Sequence, residues 1–380
     1  MDGQQLYFGA GAVRRLPEIL ASNRARRVLL VTGRGSIAES GAERALAPLL
    51  AGVEVARFHD FGSNPILEEV ERGASLWRRL RPDVVVAVGG GSVIDVAKAV
   101  NVLGAQESPP REVLARGLRS PSAGSPLVAV PTTAGTGSEA THFATVYADG
   151  AKHSLAHDCL RPACAIVDPD LSSTLPPRLT AVTGLDALCQ AIESYWAVGA
   201  SPESQGFASD AVSFLWPAIA TAVHAPDAAA RAAMARGAYL AGRAIDCSKT
   251  TAAHALSYAL TTRFGVAHGH AVALTLGRFF ELNARARTLG VRDPRGVSYV
   301  ERTLAALCTM LGQPDATAVA RSWSALLESL GLETDLRRLG VSPGDLDVLV
   351  DAVNAERLSN HPVRLTRETL RELLASLCPG

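Results

Sequence analysis

Short β-branched runs alternate with helical stretches through the first half of this chain, and that alternation constrains the fold more than any other feature. Arg27 to Thr32 reads RVLLVT, Val53 to His59 VEVARFH, Asp83 to Val88 DVVVAV and Leu127 to Pro131 LVAVP, with helical stretches at Ile37 to Ala51 and Leu67 to Leu80. Strands joined by helix-length connections pair in parallel through crossovers, so the pattern predicts a doubly wound α/β domain. From about Leu171 the texture changes to Ala/Leu-rich segments of helical periodicity, at Leu179 to Trp196, Ser204 to His224 and Ala228 to Ala244. Cap-type residues recur there, at Ser342 to Asp345 and Thr366 to Glu368, and predict an all-helical second half. The change falls at DPDLSSTLPP, Asp168 to Pro177, where three prolines break the pattern. The expected domains are therefore residues 1–171 and 172–380.

Composition narrows the function classes. The 37 basic and 37 acidic side chains cancel, so no global field collects nucleic acid or an anionic membrane surface. A small-molecule ligand is expected instead. Six cysteines without a CxxC pair argue against a zinc knuckle, a redox dithiol or a disulfide framework. No basic region followed by an apolar stretch opens the chain, and no window reaches the roughly 18 consecutive apolar residues of a membrane span. The expectation is a cytoplasmic protein. Only three of the basic residues are lysines, Lys98, Lys152 and Lys249.

Two glycine loops leave predicted strands. In VAVGGGSVIDVAK, Val86 to Lys98, Gly90, Gly91 and Ser92 open directly into a helix. Glycines let a backbone approach a phosphate, and a helix start offers free N–H groups with a favourable dipole. The spacing is not GxGxxG. The second loop, PTTAGTGSE, Pro131 to Glu139, carries the hydroxyls of Thr132, Thr133, Thr136 and Ser138, which either face a ligand or cap their own turn. Such loops at the carboxyl ends of parallel strands are where this architecture binds ligands. The first strand ends in VTGRGS without an acid. Gly33, Arg34 and Ser36 suit a ribose 2′-phosphate better than a 2′-hydroxyl, which points to NADP and leaves NAD open. Arg34 otherwise reads as a solvated surface residue.

In the helical half, Asp186 and Gln190 share a helix face at i and i+4, and His254, His268 and His270 follow within Ala253 to Ala271. One aspartate and two histidines can hold a divalent ion with a position left open to polarise a carbonyl.

Taken in order, GGGSVIDVAKA, PTTAGTGSEAT, AIVDPDLSSTLPP, GLDALCQAIESY and HGHAVAL resemble the metal-dependent, iron-type alcohol dehydrogenases over most of residues 5 to 290. The resemblance implies the dehydroquinate synthase-like fold of that family, a dinucleotide-binding domain before a helical domain with catalysis between them. It implies Asp186, His254 and His268 as ligands of iron(II) or zinc. Gly90, Gly91, Ser92 and Asp95 match the first nucleotide loop, and Thr132, Thr133 and Ser138 the second. It also implies a homodimer. Gln190 replaces the family's usual histidine, and so either ligates, holds a metal-bound water or leaves three ligands. Tyr258 replaces a further histidine, as a proton relay or as packing, and His270 is the other candidate proton donor.

SKTTAAHALSY, Ser248 to Tyr258, and Gln190 itself are most similar to the branch that reduces phosphonoacetaldehyde to 2-hydroxyethylphosphonate. Lys249 and Arg263, on either side of His254, are the candidate phosphonate cations. The alternatives are a dehydrogenase for another short alcohol, diol or hydroxy acid, a sugar-phosphate cyclase-like lyase, and a metal-free nucleotide-binding protein.

Overall fold

Six parallel strands form one sheet in the order β1-β8-β5-β4-β2-β3. A computed structural model describes residues 3–119, 121–149 and 151–379, with the side chains of Ser36, Ala151 and Lys152 outside the described set. The sheet strands are β1 (Gln5–Phe8), β2 (Arg27–Thr32), β3 (Glu54–Phe58), β4 (Val84–Gly89), β5 (Leu127–Pro131) and β8 (Cys164–Val167). Helices α1 (Leu16–Ser22), α2 (Ser36–Glu39), α3 (Ala42–Leu46), α4 (Leu67–Leu80), α5 (Gly91–Gly104) and α6 (Pro110–Arg116) run between them. Successive residues of a strand point to opposite faces, and both faces are apolar. Leu29, Val31, Val85 and Ala87 pack with α4 and α5, whereas Val28, Leu30, Val84, Val86 and Val88 pack with α1, α2 and α3. This two-sided burial makes the unit doubly wound.

Three departures from the sequence reading have local causes. The helix expected over Ile37 to Ala51 is broken into α2, α3 and a 3₁₀ turn at Ala47–Leu50, with Gly41 in the left-handed region ahead of α3. Edge strand β1 and strand β8 have four residues each, too few for a periodicity to show. An antiparallel hairpin, β6 (Phe143–Ala148) with β7 (Ala151–Ala156), stands apart from the main sheet and packs on α5.

The chain divides into two compact units at Leu175 and Pro176. In the second unit, α7 (Pro177–Trp196), α8 (Pro202–His224) and α9 (Ala228–Ser248) pack on one another. Next come α10 (Ala252–Phe264), α11 (His268–Ala284), α12 (Ala286–Leu289), α13 (Val297–Met310) and α14 (Ala316–Ser329), then α15 (Leu346–Asp351), α16 (Ala355–Ser359) and α17 (Arg367–Ser376). The α11 helix packs on both α7 and α10, the arrangement that builds the site below. Among the described residues, α8 alone is long and apolar enough to cross a membrane by length and composition, and here it packs on α7 and α9.

Beneath the second glycine loop lies a buried pair of opposite charges. Lys98 is fully buried, and its Nζ donates to Thr141 O at 2.8 Å, Thr141 Oγ1 at 3.0 Å and Phe143 O at 2.9 Å. The Glu139 carboxyl is buried beside it, and desolvation pushes it up to about 7 against the pull of the Lys98 charge. An acid whose folded-state value is raised contributes stability below its unfolded value, lost as pH rises through the folded one. The window runs from about 4.5 to about 7 and is worth roughly 3 kcal/mol at most. Thermal melts of wild type and Glu139→Gln between pH 5 and pH 8 should therefore diverge, the wild type losing stability that the variant keeps. Parallel melting curves for the two chains across that range would contradict this account of Glu139.

Candidate active site

In the first unit the two glycine loops touch. A Cβ on Gly91 would lie 2.5 Å from Thr136 Oγ1, and one on Gly90 would lie 3.4 Å from Thr133 Oγ1. Only glycine lets the start of α5 close on the second loop. The helix begins in an open turn: Val93 N and Ile94 N both return to Gly90 O, at 3.0 and 3.2 Å, leaving the Gly91 and Ser92 N–H groups to the surroundings. Thr132 is buried, and its N–H donates to Gly89 O at 3.0 Å, which locks the register of the loops.

Several residues expected at the nucleotide are occupied within the protein. Asp95 accepts from Ser138 Oγ through one oxygen and from Thr145 N at 2.9 Å through the other. It thereby ties α5 to the second loop and to β6. Ser92 Oγ donates to Ser63 O at 2.5 Å. Arg34 follows Gly33 at the end of β2 and pairs at 2.9 Å with Asp60, which also pairs with Arg72 at 3.1 Å. Asp60, on the loop after β3, is thus shared between two arginines. The Ser36 side chain lies outside the described residues.

In the second unit, Asp186, His254 and His268 converge with donor atoms within 4.8 Å of one another. Asp186 comes from the middle of α7, His254 from the first turn of α10 and His268 from the first residue of α11. His254 Nε2 lies 3.4 Å and His268 Nε2 3.7 Å from Asp186 Oδ1. The geometry fixes both tautomers. His254 Nδ1 donates to Glu193 Oε2. Ser257 Oγ gives its proton to His254 O at 2.8 Å and so accepts from His268 Nδ1 at 3.4 Å. In its neutral form each ring would then turn an unprotonated Nε2 toward Asp186, the orientation a metal-binding histidine needs.

Asp186 Oδ1, Gln190 Oε1 and His254 Nε2 are buried without a hydrogen-bond partner. Each orphaned acceptor costs about 1–3 kcal/mol. A divalent cation at their focus would satisfy all three, so this donor set fits a metal. Gln190 lies one turn beyond Asp186, its amide helping to hold the aspartate ionised. Burial alone would raise the Asp186 carboxyl, but the His254 and His268 rings and that amide hold it below the ordinary range. Burial would likewise lower His254, but the charges and hydrogen bonds of Glu193 and Asp186 push it up to about 10. In the absence of metal the ring holds a proton that a cation must displace.

Close approach of α11 to α7 depends on Gly269. A Cβ there would lie 1.9 Å from Val182 O and 3.0 Å from Asp186 Cβ. Neither Gly269 nor Glu193 emerged from the sequence reading. Glu193 carried a signal, standing seven positions after Asp186 on the same face of α7; Gly269 carried only its place between two histidines.

Three of the expected site residues have other neighbours. His270 is buried with Nε2 donating to Glu333 O at 2.7 Å. Two residues from His268, it faces away from the cluster. Lys249 pairs with Glu356 at 2.5 Å, and Arg263 is an exposed residue in the last turn of α10, near Asp345. Lys249 stands at the end of α9 and Arg263 in the last turn of α10, so α10 lies between the two positions. Tyr258, in contrast, lies beside the cluster, its ring stacked on His268 with centroids 6.1 Å apart and planes 10° apart.

A parallel sheet with glycine loops, joined in one chain to a helical unit with buried Asp and His donors, has the parts of a nicotinamide-dependent, metal-assisted oxidoreductase. Residues 3–169 match the family model described as iron-containing alcohol dehydrogenase, and residues 180–378 the model for the C-terminal part of the same family. The chain belongs to the iron-containing alcohol dehydrogenase family and is an alcohol dehydrogenase or aldehyde reductase. It is 39% identical to a phosphonoacetaldehyde reductase of Streptomyces viridochromogenes, over 97% of this chain and 95% of that protein. It is 31% identical to long-chain-alcohol dehydrogenase 1 of Geobacillus thermodenitrificans, over 98% and 95%. The crystal structure of sulfoacetaldehyde reductase from Bifidobacterium kashiwanohense, in complex with NAD+, superposes with a TM-score of 0.89 at 31% identity, over 99% of this chain and 97% of that one.

Gly269→Ala should force α11 away from α7 and with it His268 from Asp186. We expect a loss of roughly 1–3 kcal/mol of stability and a severalfold loss of metal retained through gel filtration. Unchanged melting and metal content would show that α11 yields freely at this contact.

Proposed function

We propose that the chain reduces phosphonoacetaldehyde to 2-hydroxyethylphosphonate with NADPH, at a divalent metal held by Asp186, His254 and His268 with Gln190 as a weaker fourth donor. The observation that carries the metal site is the set of buried, unpartnered acceptors on Asp186, Gln190 and His254. The substrate reading rests on the relatives. Two of them are named for two-carbon aldehydes bearing a tetrahedral oxyanion, a phosphonate and a sulfonate. The long-chain-alcohol relative marks the neutral alternative.

Bound coenzyme supplies a hydride, and iron(II) or zinc supplies Lewis acidity toward a carbonyl oxygen. The protein's own work is placement. Gly90, Gly91 and the open start of α5 receive the pyrophosphate, with Thr132, Thr133 and Ser138 shaping the facing loop. Arg34 and Arg72 together outweigh Asp60 by one positive charge, which favours a 2′-phosphate. Asp186 brings the one negative charge among the metal donors, and the two imidazoles leave it partly uncompensated, so a divalent ion stays electrophilic. Tyr258 is the side chain that returns a proton. Its ring is held against His268, while His270 is turned away and bound to a backbone carbonyl.

NADPH oxidation should be fastest with phosphonoacetaldehyde, and kcat/KM for neutral aldehydes of similar length should fall by about tenfold or more. Equal efficiency with butyraldehyde would move the assignment to a general alcohol dehydrogenase. Tyr258→Phe preserves the stacked ring and removes the hydroxyl. Its kcat should drop by about 10²-fold at unchanged metal content; an unaltered kcat would reduce Tyr258 to packing.

A further inference from the structure

Glu193 is fully buried in α7, seven positions beyond Asp186. Its two oxygens face different elements of the site. Oε1 accepts from Thr251 N at 3.1 Å, Thr251 Oγ1 at 2.7 Å and Ala253 N at 2.9 Å, so it caps the start of α10 from another helix. Oε2 accepts from His254 Nδ1. Thr251 Oγ1 is held in turn by Trp196 Nε1 at 3.0 Å. A carboxylate gripped by three donors on one oxygen cannot rotate away from the imidazole bound to its other oxygen.

We infer that Glu193 is the positioning residue of the metal site: it aims His254 Nε2 and strengthens that nitrogen as a donor, and metal retention depends on it. The inference rests on the reading of Asp186, His254 and His268 as a metal site. An acceptor behind an imidazole fixes its tautomer and raises its basicity, and removing such a partner commonly costs about 10–100-fold in metal affinity. Here the loss is poorly cushioned, because Gln190 offers a neutral amide oxygen, a weaker donor than an imidazole. One anionic side chain thus joins two tasks, capping α10 where the helix begins and orienting the ligand that helix carries.

The test uses the full chain freed of metal, with cobalt(II) as the probe. Affinity is read by chelator competition, geometry by the ligand-field absorption. Glu193→Gln should bind cobalt(II) about 10–100-fold more weakly than wild type, with an altered absorption band and a metal-free melting temperature within a few degrees. Thr251→Ala removes one hydrogen bond to Glu193 and leaves its charge, and should weaken binding severalfold. Wild-type affinity and spectrum in Glu193→Gln, or in Thr251→Ala where the first variant does not fold, would overturn the inference while the metal site stands. Failure of wild type itself to bind cobalt(II) would overturn the metal site, and this inference with it.

Discussion

Two carboxylates, Asp186 and Glu193, are buried two turns apart on one helix, and the helical unit is organised around keeping them ionised. A desolvated charge costs several kcal/mol unless it is paired and fully hydrogen-bonded. Glu193 meets that demand with the start of α10 and the His254 ring. Asp186 meets it in part, since its Oδ1 has two imidazole nitrogens nearby and no hydrogen bond. The unit completes one charge with protein, and the other is the one the proposed cation would complete. Removing either partner from such an arrangement strands a buried charge, which is why α7, α10 and α11 must meet where they do.

The first unit solves the opposite problem, holding a loop open. The Gly91 and Ser92 N–H groups open the start of α5, and the side chains around them brace the loops from behind. Asp95 and Ser138 join α5 to the second loop, and Lys98 gathers the carbonyls of Thr141 and Phe143. Glycine at 90 and 91 lets the two loops close without a Cβ between them. The phosphate site proposed at these loops would depend on the rigidity of its supports more than on any contacting side chain.

The sequence disclosed what repeats or alternates. β2, β5 and α4 fall on the residues where β-branched runs and amphipathic spacing placed them, because periodicity reports burial on a face. Short strands β1 and β8 and the hairpin were invisible, having too few residues for a pattern to stand out. At the site, Asp186, His254 and His268 were legible through resemblance and residue chemistry together, since no single spacing among them is diagnostic. Sequence spacing alone paired Lys249 with Arg263; the helix that carries Arg263 takes it toward Asp345, and Glu356 pairs with Lys249. Glu193 went unread because its partners lie 58 and 61 residues downstream; tertiary contact alone reveals it.

Residue type and residue role therefore separate in a consistent way. Asp95, Lys98 and Glu193 carry formal charge beside a site, yet each spends its hydrogen bonds on protein atoms. Electrostatic catalysis requires that the groups facing the reaction do not reorganise as charge develops, and a group is immobile only when something behind it is fixed. An imidazole pinned by a carboxylate, itself pinned by a helix terminus, meets that condition through two successive contacts. A lone histidine on the same helix would retain the freedom of its χ angles, and a metal bound by it would shift as the substrate carbonyl gained charge. In the proposed metal site, the firmness of His254 is a property of its buried supports, Glu193 and the start of α10.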